Sequence, residues 1–142
     1  MTHPDGNDEA TITRLATTTC TVAVVGLSPK PHRASYEVAQ YLQRHGWRIV
    51  PVNPAAAGSQ ILGEPVYASL TEAARAHPIA LVDAFRNSDD VPPVVDDALA
   101  LGLPAIWLQL GIAHPQAAAK ARAAGVAFVQ NLCLKVEHAQ RA

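Results

Sequence analysis

Apolar residues along this chain gather into five short runs, and polar stretches with a helical period lie between them. Val22, Val24 and Val25 carry the first run, a β-branched cluster typical of strands covered on both faces. Trp47 to Val52, Ile79 to Phe85, Pro104 to Leu110 and Val126 to Val129 are the other four. Between the first two, Val38, Ala39, Tyr41 and Leu42 recur at helical spacing, with Ser35 as the expected N-cap and Gly46 as the exit. A second stripe, Val91, Val94, Val95, Ala98 and Leu99, ends at Gly102; Pro92 and Pro93 are tolerated in its first turn if Asp90 is the cap. His114-Pro115 opens an Ala-rich helix that stops at Gly125, and Asn131 to Gln140 is the terminal helix.

Two regions lack a clear period. Residues 1–19 read as a flexible N-terminal leader with at most a short helical turn near Ile12 to Ala16. Residues 55–69 read as loop, with Val66-Tyr67 a stub of extended chain, and Thr71 to Ala76 as a short helix. Strand alternating with helix predicts an α/β fold, a Rossmann-like doubly wound parallel sheet of five strands. The expected order is 3-2-1-4-5, with the ligand cleft at the carboxyl ends of the strands.

Composition narrows the function classes. With 142 residues, 49% hydrophobic and 16% charged, the chain suits one domain with a full core, placed at residues 20–142. A net charge of -1 argues against a general nucleic-acid binder. No apolar run approaches a membrane span, and Met1 to Thr19 lacks the apolar core of a signal peptide. Two cysteines suggest free thiols, and the expected compartment is the cytoplasm.

The candidate chemistry lies at the strand ends. After Gly26, the loop Leu27 to Ser35 crowds Ser28, Lys30, His32, Arg33 and Ser35 around the expected N-terminus of a helix and contains no acid. Free N–H groups, cations and hydroxyls together make an anion site; an ordinary polar loop is the alternative. Arg86 would add a third cation, or else pair with Asp89 or Asp90. A nicotinamide cofactor is disfavoured, because the loop lacks GxGxxG and Val52-Asn53-Pro54 offers no acid to a ribose. The six histidines show no metal-ligand spacing, and no GxSxG elbow is present. Asp83, inside its strand, is expected to bond a nearby backbone group or Arg86, and Trp47 and Trp107 are expected in the core.

The segments VAVVGLSPKPHRASYEVAQYLQRHGWRIVPVNP, ILGEPVYASL, VDAFR, IWLQLGI and NLCLKVE, spanning roughly residues 20–138, resemble the small stand-alone CoA-binding family. That family is similar to the N-terminal CoA-binding domain of the succinyl-CoA synthetase α-subunit. The resemblance implies a Rossmann-like domain that binds coenzyme A or an acyl-CoA. Gly26, Ser28, Lys30, Arg33 and Ser35 would then hold phosphates, and Val52, Asn53, Pro54, Phe85 and Arg86 would flank the nucleotide. Gln109, Leu110, Gly111 and Ile112 would lie along the pantetheine. The synthetases use a phosphohistidine in a second domain and a nucleotide-activating unit. No histidine here can be carried over to that role, so ligase activity by this chain alone is not expected.

Expected partners are therefore a small CoA ligand and either a homodimer mate or a CoA-using enzyme, with neither nucleic acid nor membrane. Two other readings remain open: an enzyme using NAD(P) or CoA, and a redox regulator that forms a mixed disulfide with CoA through Cys133. Cys133 is expected just past the last strand, at the ligand edge, in the first turn of a helix; a buried structural cysteine is the alternative. Cys20 precedes the first strand at the other edge, about 15 Å away. A Cys20–Cys133 disulfide, which needs Cα atoms within about 7 Å, is not expected.

Overall fold

A computed structural model describes residue 3 and residues 5–142. The chain runs α1 (Glu9–Thr17), β1 (Thr21–Val25), α2 (Ala34–Arg44), β2 (Arg48–Val52), β3 (Gln60–Ile61), β4 (Glu64–Pro65) and α3 (Leu70–Ala76). It continues through β5 (Leu81–Ala84), α4 (Val91–Ala100), β6 (Ala105–Leu108), α5 (Pro115–Ala123), β7 (Ala127–Val129) and α6 (Leu134–Arg141). Five strands form one parallel sheet in the order β2-β1-β5-β6-β7, while β3 and β4 make a separate two-residue hairpin. Beside Val52 at the β2 edge, Tyr67 makes a single parallel bridge. That bridge occupies the third-strand position of the Rossmann order, so the expected 3-2-1-4-5 pattern holds, with β7 added outside. The five full strands by themselves read 2-1-3-4-5.

Alternation along each strand sorts the core into two layers. Val25, Val52, Val82, Ala84, Ile106 and Leu108 face α3, α4 and α5. Val22, Val24, Ile49, Leu81 and Trp107 face α1, α2 and α6. Both tryptophans are core residues, and the indole N–H of Trp107 donates to Leu132 O at 2.8 Å.

The leader corrects the sequence expectation. Residues 9–17 are not frayed but form α1, capped by the Asp8 carboxylate through Thr11 N. Ile12, Leu15 and Ala16 are buried in the layer that α6 helps to form. Each fully buried Ile or Leu side chain contributes roughly 1.5–3 kcal/mol. Burial therefore docks the helix despite its threonines. Arg141 of α6 then fixes its register, donating to Glu9 Oε1 and to Thr13 Oγ1, both at 2.6 Å.

The Glu9 carboxyl is held down at about 2, first by the hydrogen bond from Arg141 and then by His3. A depressed carboxyl stabilises the fold above its ordinary value of 4.5 and loses that effect as pH falls through about 2. Amide protection in α1, relative to intrinsic exchange at each pH, should accordingly fall between pH 4 and 2 more than in the core strands. Glu9→Gln should remove this acid step; the same step in both chains would assign it to other groups.

Other differences are local. Asp90 is the N-cap of α4 as expected, although its side chain makes no capping bond. The N-cap of α2 is Arg33 and not Ser35, which lies inside the first turn with its Oγ accepting from Ser28 N, seven residues earlier in the loop. Among the described residues Asp83 bonds neither backbone nor Arg86: it is fully buried between Val24 and Trp107, and neither carboxyl oxygen has a partner there.

Candidate functional site

Register aligns the strand ends. Val25 lies beside Val52 and Ala84, and Ala84 beside Leu108, so Gly26, Asn53, Phe85 and Gln109 all leave the sheet at one edge. Gly26 has φ +86, and its N–H donates to Val52 O at 2.8 Å. A Cβ on Gly26 would lie 2.8 Å from the Phe85 carbonyl oxygen. Only glycine lets the chain pass so close to that backbone.

Beyond the turn, the loop is organised by its own hydroxyls. Ser28 N donates to Ser35 Oγ at 3.0 Å, and Lys30 N to Ser28 Oγ at 3.1 Å. Acting as acceptors, both hydroxyls keep a proton to offer outward. Arg33 caps α2 with no side-chain hydrogen bond, leaving its first N–H groups without a side-chain acceptor. Gly26, Ser28, Lys30, Arg33 and Ser35 line one crevice of about 340 Å³ together with Phe85.

Two larger spaces adjoin it. A cavity of about 680 Å³ shares Ala34 and Phe85 with the crevice and is walled by Arg86, Gln109 to Ile112, Cys133, Lys135 and Val136. A third space of about 470 Å³ shares Arg86 with that cavity and reaches Val52 and Pro54. The three spaces therefore form one divided cleft along the strand ends. Among the described residues, Lys30, Arg33 and Arg86 take part in no ion pair, so Arg86 pairs with neither Asp89 nor Asp90.

Of the residues predicted for the site, Asn53 lines none of these spaces. Its amide is occupied, donating to Leu27 O and accepting from Ala55 N, so it shapes the loop from behind. Cys133 is the N-cap of α6 and lines the large cavity. Both cysteines are free; burial pushes the Cys20 thiol up to about 11.

Sequence reasoning missed the bracing of the cavity. Asn7 exchanges two hydrogen bonds with the Gln130 backbone, at 2.8 and 3.0 Å. The Gln130 side chain accepts from His114 N, and Asn131 Oδ1 accepts from Gly111 N at 2.7 Å. The N-terminal arm thus tethers the loops that carry Gly111 and Cys133. No local pattern signals a contact spanning 123 positions.

Fold and cleft define a Rossmann-like domain with a basic crevice at the switch between β1 and its two neighbours. Residues 20–139 match the family model described as a CoA binding domain, and the chain belongs to that family. The protein YneT of Bacillus subtilis (strain 168) is 36% identical over 118 residues, 83% of this chain and 84% of that protein. A hypothetical protein from Pyrococcus horikoshii OT3 is 33% identical with a TM-score of 0.87, over 99% of this chain and 96% of that one. A dinucleotide-forming acetyl-coenzyme A synthetase from Ca. Korarchaeum cryptofilum shares the fold at 18% identity and TM-score 0.67. That match covers 84% of this chain and 28% of the synthetase, so this chain corresponds to one part of the larger protein.

Proposed function

We propose that the chain binds coenzyme A or an acyl-CoA in the divided cleft, with no catalysis of its own. The observation that carries this reading is three cations without an ion pair along the divided cleft: Lys30 and Arg33 in the crevice after Gly26, and Arg86 between the other two spaces. The crevice after Gly26 would take the pyrophosphate, and the space reaching Val52 and Pro54 the adenosine. The cavity beyond Phe85 would take the pantetheine, along Gln109 to Ile112. The chain's partner would be a homodimer mate or an enzyme that uses the CoA ligand.

Calorimetric titration with CoA, 3′-dephospho-CoA, NAD and ATP tests the reading. CoA should bind tightest, and Lys30→Ala with Arg33→Ala should weaken it about 100-fold, each charge-assisted contact contributing about tenfold. Tighter NAD or ATP binding would sink the assignment. So would silence from all four ligands.

Cys133 in the cavity wall favours a second reading, redox regulation. Its thiolate would attack the disulfide form of CoA, joining one CoA and releasing the other as thiol. Mass spectrometry after exposure to CoA disulfide should show one adduct that Cys133→Ser lacks; an unmodified wild type would remove this reading.

A further inference from the structure

We propose that the outer wall of the large cavity is an acyl subsite, and that the ligand class is an acyl-CoA thioester with an apolar chain. This rests on the reading of the cleft as a CoA site and names which form of CoA it prefers. Leu110 is 68% exposed and Val136 44%, the large apolar side chains that the surface leaves most open, and both line this cavity. Neither belongs to a loose segment. Val136 is in α6, and the turn at Leu110 is held by Gln109 N donating to Ala84 O and Gly111 N donating to Asn131 Oδ1. Two fixed apolar side chains at the open end of a cleft are ready to cover a chain that enters from its polar end.

Gln109 supplies the independent observation. It is 5% exposed and lines the same cavity. Its Oε1 accepts from Leu134 N at 3.0 Å, which turns the amide Nε2 away from α6. Among the described residues that NH₂ group has no hydrogen-bond partner. The group is not sealed from solvent as Trp47 Nε1 and the Asp83 oxygens are, so it opens on the cavity that Gln109 lines, where a ligand acceptor can take the place of water. The carbonyl oxygen of a thioester is such an acceptor, whereas the thiol of free CoA accepts only weakly. Charge narrows the acyl group further. Arg86, Glu37 and Lys135 line the cavity; with Arg86 given to the nucleotide side of the ligand, Glu37 and Lys135 offset each other and leave no further positive charge for a second carboxylate. The Lys135 ammonium also lies 5.6 Å from the Tyr41 ring centroid, already engaged with that face.

Calorimetry with CoA, acetyl-, butyryl-, hexanoyl- and succinyl-CoA reads the subsite directly. Affinity should rise with chain length, with hexanoyl-CoA on the order of tenfold tighter than CoA: a fully buried methylene is worth about fourfold, and an open wall covers the chain by the equivalent of fewer than two. Succinyl-CoA should bind no tighter than CoA. In the surface variant Leu110→Ser with Val136→Ser, the ratio of hexanoyl-CoA to CoA affinity should fall from about ten to about one. Tight CoA binding with no chain-length dependence would overturn the acyl subsite and leave the CoA reading standing. A ratio unchanged in the double variant would overturn it as well. Self-association of the wild type that the double variant loses, seen by sedimentation without ligand, would give these side chains to a second copy instead. Failure of CoA itself to bind would remove the parent reading first.

Discussion

A Gly26→Ala chain is expected to lose CoA binding and to melt on the order of 10 °C below the wild type. Two costs combine at this position. The backbone there has φ +86, where a residue with a Cβ is strained by roughly 1–3 kcal/mol. The new methyl would also meet the Phe85 carbonyl oxygen at 2.8 Å, and a backbone atom cannot swing aside as a long side chain can. Relief requires separating β1 from the end of β5, at about 1–3 kcal/mol for an overpacked site. Any such shift moves Phe85 and Arg86, which link the three parts of the cleft. Gly58→Ala is the matched control: φ there is +85, but nothing lies within 4 Å of the new Cβ. It should cost the strain alone and leave CoA affinity unchanged. Equal melting temperatures for the two variants would show that the Phe85 contact yields.

Gly26 was legible in the sequence because a valine run stopped there and polar loop residues began. The same logic found all five sheet strands, since parallel strands buried on both faces leave continuous apolar runs. Phe85, Arg86 and Gln109 followed from topology, which puts strand ends at one edge. What escaped was whatever depends on distant partners. Ile12, Leu15 and Ala16 do fall at helical spacing, but four threonines between Thr11 and Thr18 dilute the signal. Only the cover of α6 and the reach of Arg141 make α1 a stable element. Asn53 shows the same limit. Its place at a strand end was read correctly, yet its amide is consumed by Leu27 and Ala55, which sequence spacing could not reveal.

Asp83 gives the other large effect, one with a definite sign. Burial without a single hydrogen bond pushes its carboxyl well above the ordinary value of 3.8, so the fold holds it protonated while the unfolded chain ionises. Between those two values the folded state binds one proton more. Stability is therefore full below 3.8 and falls as pH rises, by about 1.4 kcal/mol per pH unit, until the folded group ionises. Glu9 acts in the opposite direction only below 4.5. His138, lowered from 6.5 by burial and by His45, also acts oppositely as pH approaches that value. Both remain in an Asp83→Asn chain, so the difference between the two chains isolates Asp83. Denaturant unfolding from pH 4 to 7 should show the variant gaining on the wild type steadily as pH rises above 4, until the folded carboxyl ionises. Parallel stability curves would mean that the carboxylate finds a partner in solution, such as an ordered water between Val24 and Trp107. Because Asp83 is followed on its strand only by Ala84 before the cleft residue Phe85, the variant also bears on function. Retained CoA affinity with higher stability would mark this carboxyl as a cost to the fold that binding does not require.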